Sequence, residues 1–384
     1  DKLKKVTSQL SQKILNGAEN ISLETHQKEI KNLEEQKENL EVEISRKNSL
    51  FRSQIQPVTI VAIKSAIPEN SALIEFGVYC PFDAKAVGEK KAFGEPRYFA
   101  YIIRNQGEIK WKDLGETKQI DDSIELFRAT LRDPKRNDVQ KNARVLDEKL
   151  MLPIRAMLGD SKQLFISPDG ALNLIPFEAL VDEKNRYLVE NYSFTYLTSG
   201  RDLLRMQTAR DSKNKPLLMA NPAFGEPDSM PTVAAKRQSI TATRNLSDTY
   251  FAPLSGTLQE ARSIQTLFPD AAFLSEKEAT ETALKQSVAP RILHIATHGF
   301  FLEDNNKSTK IENPLLRSGL ASAGANQRKG EKDDGILTAL EASGLNLWGT
   351  KLVVLSACDT GLGEVKNGEG VYGLRRAFVV AGTE

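Results

Sequence analysis

The stretch 351–361, Lys351-Leu-Val-Val-Leu-Ser-Ala-Cys-Asp-Thr-Gly361, carries the reading of the fold. Its first half, KLVVLS over 351–356, is a short apolar run rich in β-branched residues. It stops at small and polar residues, as a strand buried on both faces does. Cys358 sits two residues beyond that run. A second run of the same kind, RILHIA over 291–296, leads into Thr297-His298-Gly299. In an open parallel sheet, ligands gather beyond the carboxyl ends of the strands. If these two strands are neighbours, an imidazole and a thiol from distant parts of the chain face one crevice.

Between and before these runs the pattern alternates. Strand signals fall at 163–167, 193–197, 216–219 and 271–274. Helical patterns fall at 256–268, from a Thr280 cap to about 288, and at 370–380. Alternation at this spacing implies a largely parallel α/β sheet with helices on both faces. Further upstream, strands are expected at 72–79, 98–104 and 108–111, then helices at 120–132 and 138–158. Residues 1–55 read as two antiparallel helices broken at Asn16-Gly17, with a short coiled-coil-like stripe through Ile30, Leu33, Leu40 and Ile44. His26 in this polar segment is expected on the surface. The long polar interval 303–334 reads as a surface loop around one short strand, with a gating role. The domain organisation expected is a helical hairpin over 1–56, a first α/β half over 57–210 and a second over 211–384.

Composition excludes several classes. Lys and Arg total 52 against 51 Asp and Glu, a net charge of +1, so bulk electrostatics suggests neither nucleic acid nor an anionic membrane surface. No apolar run approaches the roughly 20 residues of a membrane-spanning helix. No signal-peptide pattern opens the chain, which begins at Asp1 and is read as a fragment of something longer. Two cysteines, Cys80 and Cys358, make no disulfide framework and fit a reducing, cytoplasmic compartment.

A thiol with a neighbouring imidazole can act as a nucleophile. The free thiol titrates near ~8.5, and the imidazole takes its proton and later returns one to a leaving amine. Gly299 lets its N–H approach a substrate oxygen, and the Cys358 N–H is the natural second oxyanion donor. Other readings of these residues are weaker. His294 and His298 have a zinc-pair spacing, but Ile295 stands where the metalloprotease motif needs Glu, so no metal is expected. Lys366 occupies the third glycine place of a phosphate loop counted from Gly361, and no cofactor is expected. Cys80 reads as structural.

The motifs ATHGFF over 296–301 and LSACDTG over 355–361 resemble the CHAT-domain family, caspase-like domains that in bacteria often follow tetratricopeptide repeats. SPDGALNLIPFEAL over 167–180 and PLSGTLQEA over 253–261 extend the likeness. The resemblance implies a caspase- and separase-like cysteine endopeptidase fold, with a pseudo-caspase portion preceding the catalytic half. It implies His298 and Cys358 as the catalytic pair and a protein substrate. It also implies tetratricopeptide repeats upstream of residue 1, none being visible within this sequence, and the gating role of 303–334 supposes an activating partner. Asp169, in the Pro-Asp-Gly turn, and Asp359 are candidates for substrate contact, with turn chemistry the competing reading of Asp169. Two other functions remain open for the same residues: an inactive interaction module, and an acyltransferase or hydrolase acting on non-peptide substrates.

Overall fold

The structure is a computed structural model that describes residues 2–16, 22–47, 58–86, 92–207, 212–226, 249–302, 314–328, 333–357, 363–366 and 370–383. The chain forms two compact units, one of residues 57–208 with 365–371 and the other of 1–56, 209–364 and 372–384.

The unit formed mainly by 57–208 is built on a five-stranded sheet in the order β3-β2-β1-β4-β5. Its strands are β1 (Ser71–Tyr79), β2 (Arg97–Arg104), β3 (Lys110–Glu116), β4 (Gln163–Ser167) and β5 (Ser193–Tyr196). β1 pairs antiparallel with β2 and parallel with β4, and β4 pairs parallel with β5. Alternate residues of β1 therefore serve two cores. Ala72, Ile74 and Phe76 join Phe127, Leu146 and Leu164 on one face. Leu73 joins Ile67, Ile103, Phe165 and Leu203 on the other. Helices α4 (Thr117–Arg132) and α5 (Val139–Leu150) cover the first face, the former with a stripe of Ile120, Ile124 and Phe127. Helices α3 (Ile60–Ala66) and α6 (Arg201–Gln207) supply residues to the second. The single helix expected over 138–158 is interrupted after Leu150. Pro153 has no N–H to continue the ladder, and a separate one-turn helix, Leu152–Arg155, follows.

The other unit contains a four-stranded sheet in the order β12-β8-β6-β7, parallel throughout. The strands are β6 (Leu217–Pro222), β7 (Ala272–Glu276), β8 (Ile292–Ala296) and β12 (Leu352–Ser356). Period-two alternation again divides the residues. Leu217, Met219, Leu293 and Ile295 pack with Leu284 of α8 (Glu281–Gln286) and with Leu374, Ala377 and Phe378 of α10 (Leu374–Val380). Ala220 and Ala296 face Ala261 of α7 (Ser255–Leu267), where small residues let helix and sheet approach closely. Each large apolar side chain buried here contributes about 1.5–3 kcal/mol. Helices thus cover both faces, as expected for a caspase-like α/β fold. The last helix begins at Leu374 rather than 370. A short two-stranded sheet of β13 (Gly363–Lys366) and β14 (Gly370–Gly373) precedes it.

The interval 303–334, expected as a surface loop around one short strand, does hold that strand, but buried within a sheet rather than at the surface, and its residues 303–313 and 329–332 lie outside the described residues. It contributes β10 (Ser318–Ala321), the central strand of a three-stranded antiparallel sheet between β9 (Gly299–Phe301) and β11 (Ile336–Thr338). All four residues of β10 are buried. The charged residues that flank this strand dominate the sequence signal, while its own small residues fit under Phe300 and carry little. At Gly319 an added Cβ would meet the Phe300 ring at 2.7 Å.

Helices α1 (Lys2–Asn16) and α2 (Leu23–Lys47) form the expected pair. Leu10 packs with Leu316 and with Leu340 of α9 (Ala339–Ala342), and Ile14, Ile30 and Leu33 join them. Ser8 donates to the Glu341 carboxylate at 2.7 Å, and Ser11 lies 3.2 Å from the Thr338 hydroxyl. His26 is buried rather than on the surface. Its Nε2 lies 2.8 Å from the Lys13 carbonyl, so the ring links α2 to α1. A hydrogen bond between two helices leaves no mark in the hydrophobic pattern that suggested exposure. No described helix is long and apolar enough to cross a membrane.

Candidate active site

β8 and β12 are adjacent and parallel, with Ala296 opposite Ser356. The chain turns sharply after Ala296, since β9 begins at Gly299. The turn is held from both sides. The Thr297 N–H donates to the Ser356 carbonyl at 3.2 Å, and the Ala321 N–H donates to the His298 carbonyl at 2.9 Å. The buried Thr297 hydroxyl donates to the Ala321 carbonyl at 2.6 Å. His298 is thus fixed at its backbone by bonds to β12 and β10.

Its ring is fixed as well. Nε2 lies 2.7 Å from the Ala252 carbonyl. A carbonyl only accepts, so Nε2 carries the proton and Nδ1 keeps its lone pair. The rings of Phe224 and Phe251 lie 5.3 and 5.7 Å from the imidazole centroid. Burial against these aromatics pushes the His298 pKa below its usual value, opposed by the bond to Ala252. A neutral imidazole with a free Nδ1 is what a general base requires.

Gly299 lies opposite Leu320 on β10. In an antiparallel ladder, bonded and non-bonded pairs alternate. The bonds at Ala321–His298 and Leu302–Arg317 set that alternation, so the Gly299 N–H points away from β10.

Cys358 and Asp359 lie outside the described residues. Ala357, immediately before them, is half-buried against the core under β8 and β12. Asp169 belongs to the unit of β4 and is buried. Its carboxylate accepts from the Gly170 N–H at 2.7 Å and caps the short turn Gly170–Leu174. Cys80 is exposed and free.

Sequence reasoning missed several members of this neighbourhood. The orienting group for His298 is a main-chain carbonyl, and every residue has one, so only tertiary placement singles out Ala252. Phe224 and Phe251 look like ordinary core aromatics. Glu260 of α7 is also part of the surroundings. Its Oε2 accepts from the Ser356 hydroxyl at 3.0 Å, and its Oε1 lies 3.1 Å from Nε2 of the buried His294. The ring N–H is not aligned with that oxygen, so the second contact is electrostatic rather than a hydrogen bond. Burial pushes the His294 pKa down, against the pull of Glu260, and favours the neutral ring.

A family model described as the CHAT domain matches residues 140–384. No curated protein matches the chain.

Proposed function

Because that match spans more than half of the sequence, the chain belongs to the CHAT domain family, which is related to cysteine peptidases, and on this premise we propose that it is a cysteine endopeptidase using His298 and Cys358. The observation that carries the reading is the register of β8 and β12. Ala296 and Ser356 are paired, and His298 and Cys358 each follow two residues later. Strands in a sheet lie ~4.8 Å apart, so the segments carrying His298 and Cys358 leave from neighbouring strand ends, and this supports their meeting at one substrate carbonyl.

The proposed chemistry follows from the ring's orientation. Nδ1 of His298 takes the Cys358 thiol proton, and the sulfur attacks the scissile carbonyl carbon. The tetrahedral oxyanion is held by the N–H groups of Gly299 and Cys358. Collapse breaks the C–N bond, and the imidazolium gives its proton to the departing amine. Water, deprotonated by the same nitrogen, then cleaves the thioester and restores the thiol. The Ala252 carbonyl stabilises the imidazolium that forms in each half-reaction. Such base assistance contributes typically about 10²–10⁴-fold. A reducing cytoplasm would keep Cys358 as the thiol this cycle needs.

The test is a search for new protein N-termini after incubation with a protein library, using wild type, Cys358→Ala and His298→Ala. New termini made by wild type alone are expected. Cleavage of the same bonds by Cys358→Ala at undiminished rate would end the proposal. So would Cys358 that alkylates no faster than the exposed Cys80 in a chain that generates no termini.

A further inference from the structure

One carboxylate bridges the two strands that end at the proposed dyad. Glu260 projects from α7 across the face of the sheet, with Ser356 of β12 on one oxygen and His294 of β8 near the other. Ser356 is the last residue of β12, and its carbonyl already accepts the Thr297 N–H. Both the main chain and the side chain of Ser356 are therefore anchored, one to the turn carrying His298 and one to α7. Beyond it the chain reaches Cys358 after a single intervening residue.

We propose that Glu260 is a positioning residue that fixes the end of β12, the strand from which the chain continues to Cys358, relative to the turn carrying His298. This rests on the dyad proposed above. A strand end is normally its weakest part, because the terminal residue has ladder bonds on one side only. The hydroxyl-to-carboxylate bond fixes the Ser356 rotamer and ties the strand end to a thirteen-residue helix. The contact with His294 places the same carboxylate over β8, so a sliding motion of one strand past the other would break one of the two contacts. The trio is not a second catalytic triad. The Ser356 hydroxyl donates to the carboxylate rather than to an imidazole, so nothing removes its proton to make a nucleophile. A small displacement of a nucleophile is expensive in rate, with a misplacement of ~1 Å able to cost about 10²-fold.

The test compares the whole chain with Glu260→Ala, Ser356→Ala, the double variant and Glu260→Gln. Iodoacetamide alkylation is followed separately at Cys358 and Cys80 by peptide mapping. Each single Ala variant should slow Cys358 at pH 7 by about tenfold, well within what misplacement can cost. The double variant should lose no more than Glu260→Ala, because the Ser356 hydroxyl acts through its bond to Glu260. Glu260→Gln, whose amide oxygen still accepts from Ser356, should restore most of the rate, and Cys80 should not change. An unchanged Cys358 rate in Glu260→Ala, additive losses in the double variant, or Gln as slow as Ala would each overturn the proposal. Failure of the underlying dyad shows separately, as an unchanged Cys358 rate in His298→Ala with Glu260 intact. In that event the tether is read from exchange of the Thr297 amide, which faces Ser356. Faster exchange in Glu260→Ala sustains the anchor, and unchanged exchange removes it.

Discussion

Replacing Glu281 by Gln is expected to stabilise the unit that contains it, increasingly so as pH rises. Glu281 lies at the start of α8, 2% exposed, beside Lys285 and in the field of Glu341 and Asp334. Lys285 bridges Glu281 and Glu341, so the local carboxylates outnumber the ammonium between them. The two glutamates are not equally placed. Glu341 accepts from Ser8 and Lys285 on one oxygen and from the Thr338 N–H and hydroxyl on the other. Oε2 of Glu281 is buried with no hydrogen-bond partner among the described residues. The negative charge therefore settles on Glu341 and the proton on Glu281, whose pKa burial and the Glu341 charge push up to about 10 from 4.5.

A carboxyl whose folded pKa lies above its unfolded one favours the fold fully at pH below 4.5. It withdraws that support as pH climbs toward the folded value. Each pH unit in this window costs about 1.4 kcal/mol, so Glu281 should lose roughly 3 kcal/mol of support between pH 5 and 7. Gln has the same shape and never titrates. The stability difference between Glu281→Gln and wild type should thus grow by about that amount over the same interval. The assay is urea unfolding at pH 5, 6, 7 and 8 in a Trp111→Phe background. This leaves Trp348, in the same unit as Glu281, as the one tryptophan of the two in the chain. A difference that stays flat with pH, or a Gln variant weaker by about 3–5 kcal/mol throughout, would mean that Glu281 is ionised and paired with Lys285, and would refute the reasoning.

Two other outcomes test the packing around the site. Gly319→Ala should destabilise by about 1–3 kcal/mol, because its Cβ would press on Phe300 at 2.7 Å and on the Leu337 carbonyl at 2.9 Å, and a thermal melt without loss would contradict that crowding. The His298 ring should titrate below 6.5 when followed by NMR in a Cys358→Ser chain, and Phe251→Ala, which readmits water, should raise the midpoint toward 6.5.

Local chemistry made much of this protein readable in advance. Apolar runs of five or six residues ending in small ones marked β4, β8 and β12, a four-residue run marked β6, and a Thr cap marked the start of α8. These signals are local because burial of a strand depends on its own side chains. Their alternation with helices was enough for the fold class, and the His-Gly and Ser-Ala-Cys motifs at two strand ends were enough to nominate the dyad. The partners of those elements could not be read. Strand order, and so the pairing of Ala296 with Ser356, depends on contacts made by residues far apart in the chain. The burial of β10 depended on a gap under Phe300 that only Gly319 fits, and the burial of His26 depended on a carbonyl of the other helix. The orientation of His298 depends on the Ala252 carbonyl, and the anchor of β12 on Glu260, which in sequence is one charged helix residue among many. Side-chain type can announce which chemistry is available, but the direction of a hydrogen bond is fixed only when the donor and acceptor have been folded into place.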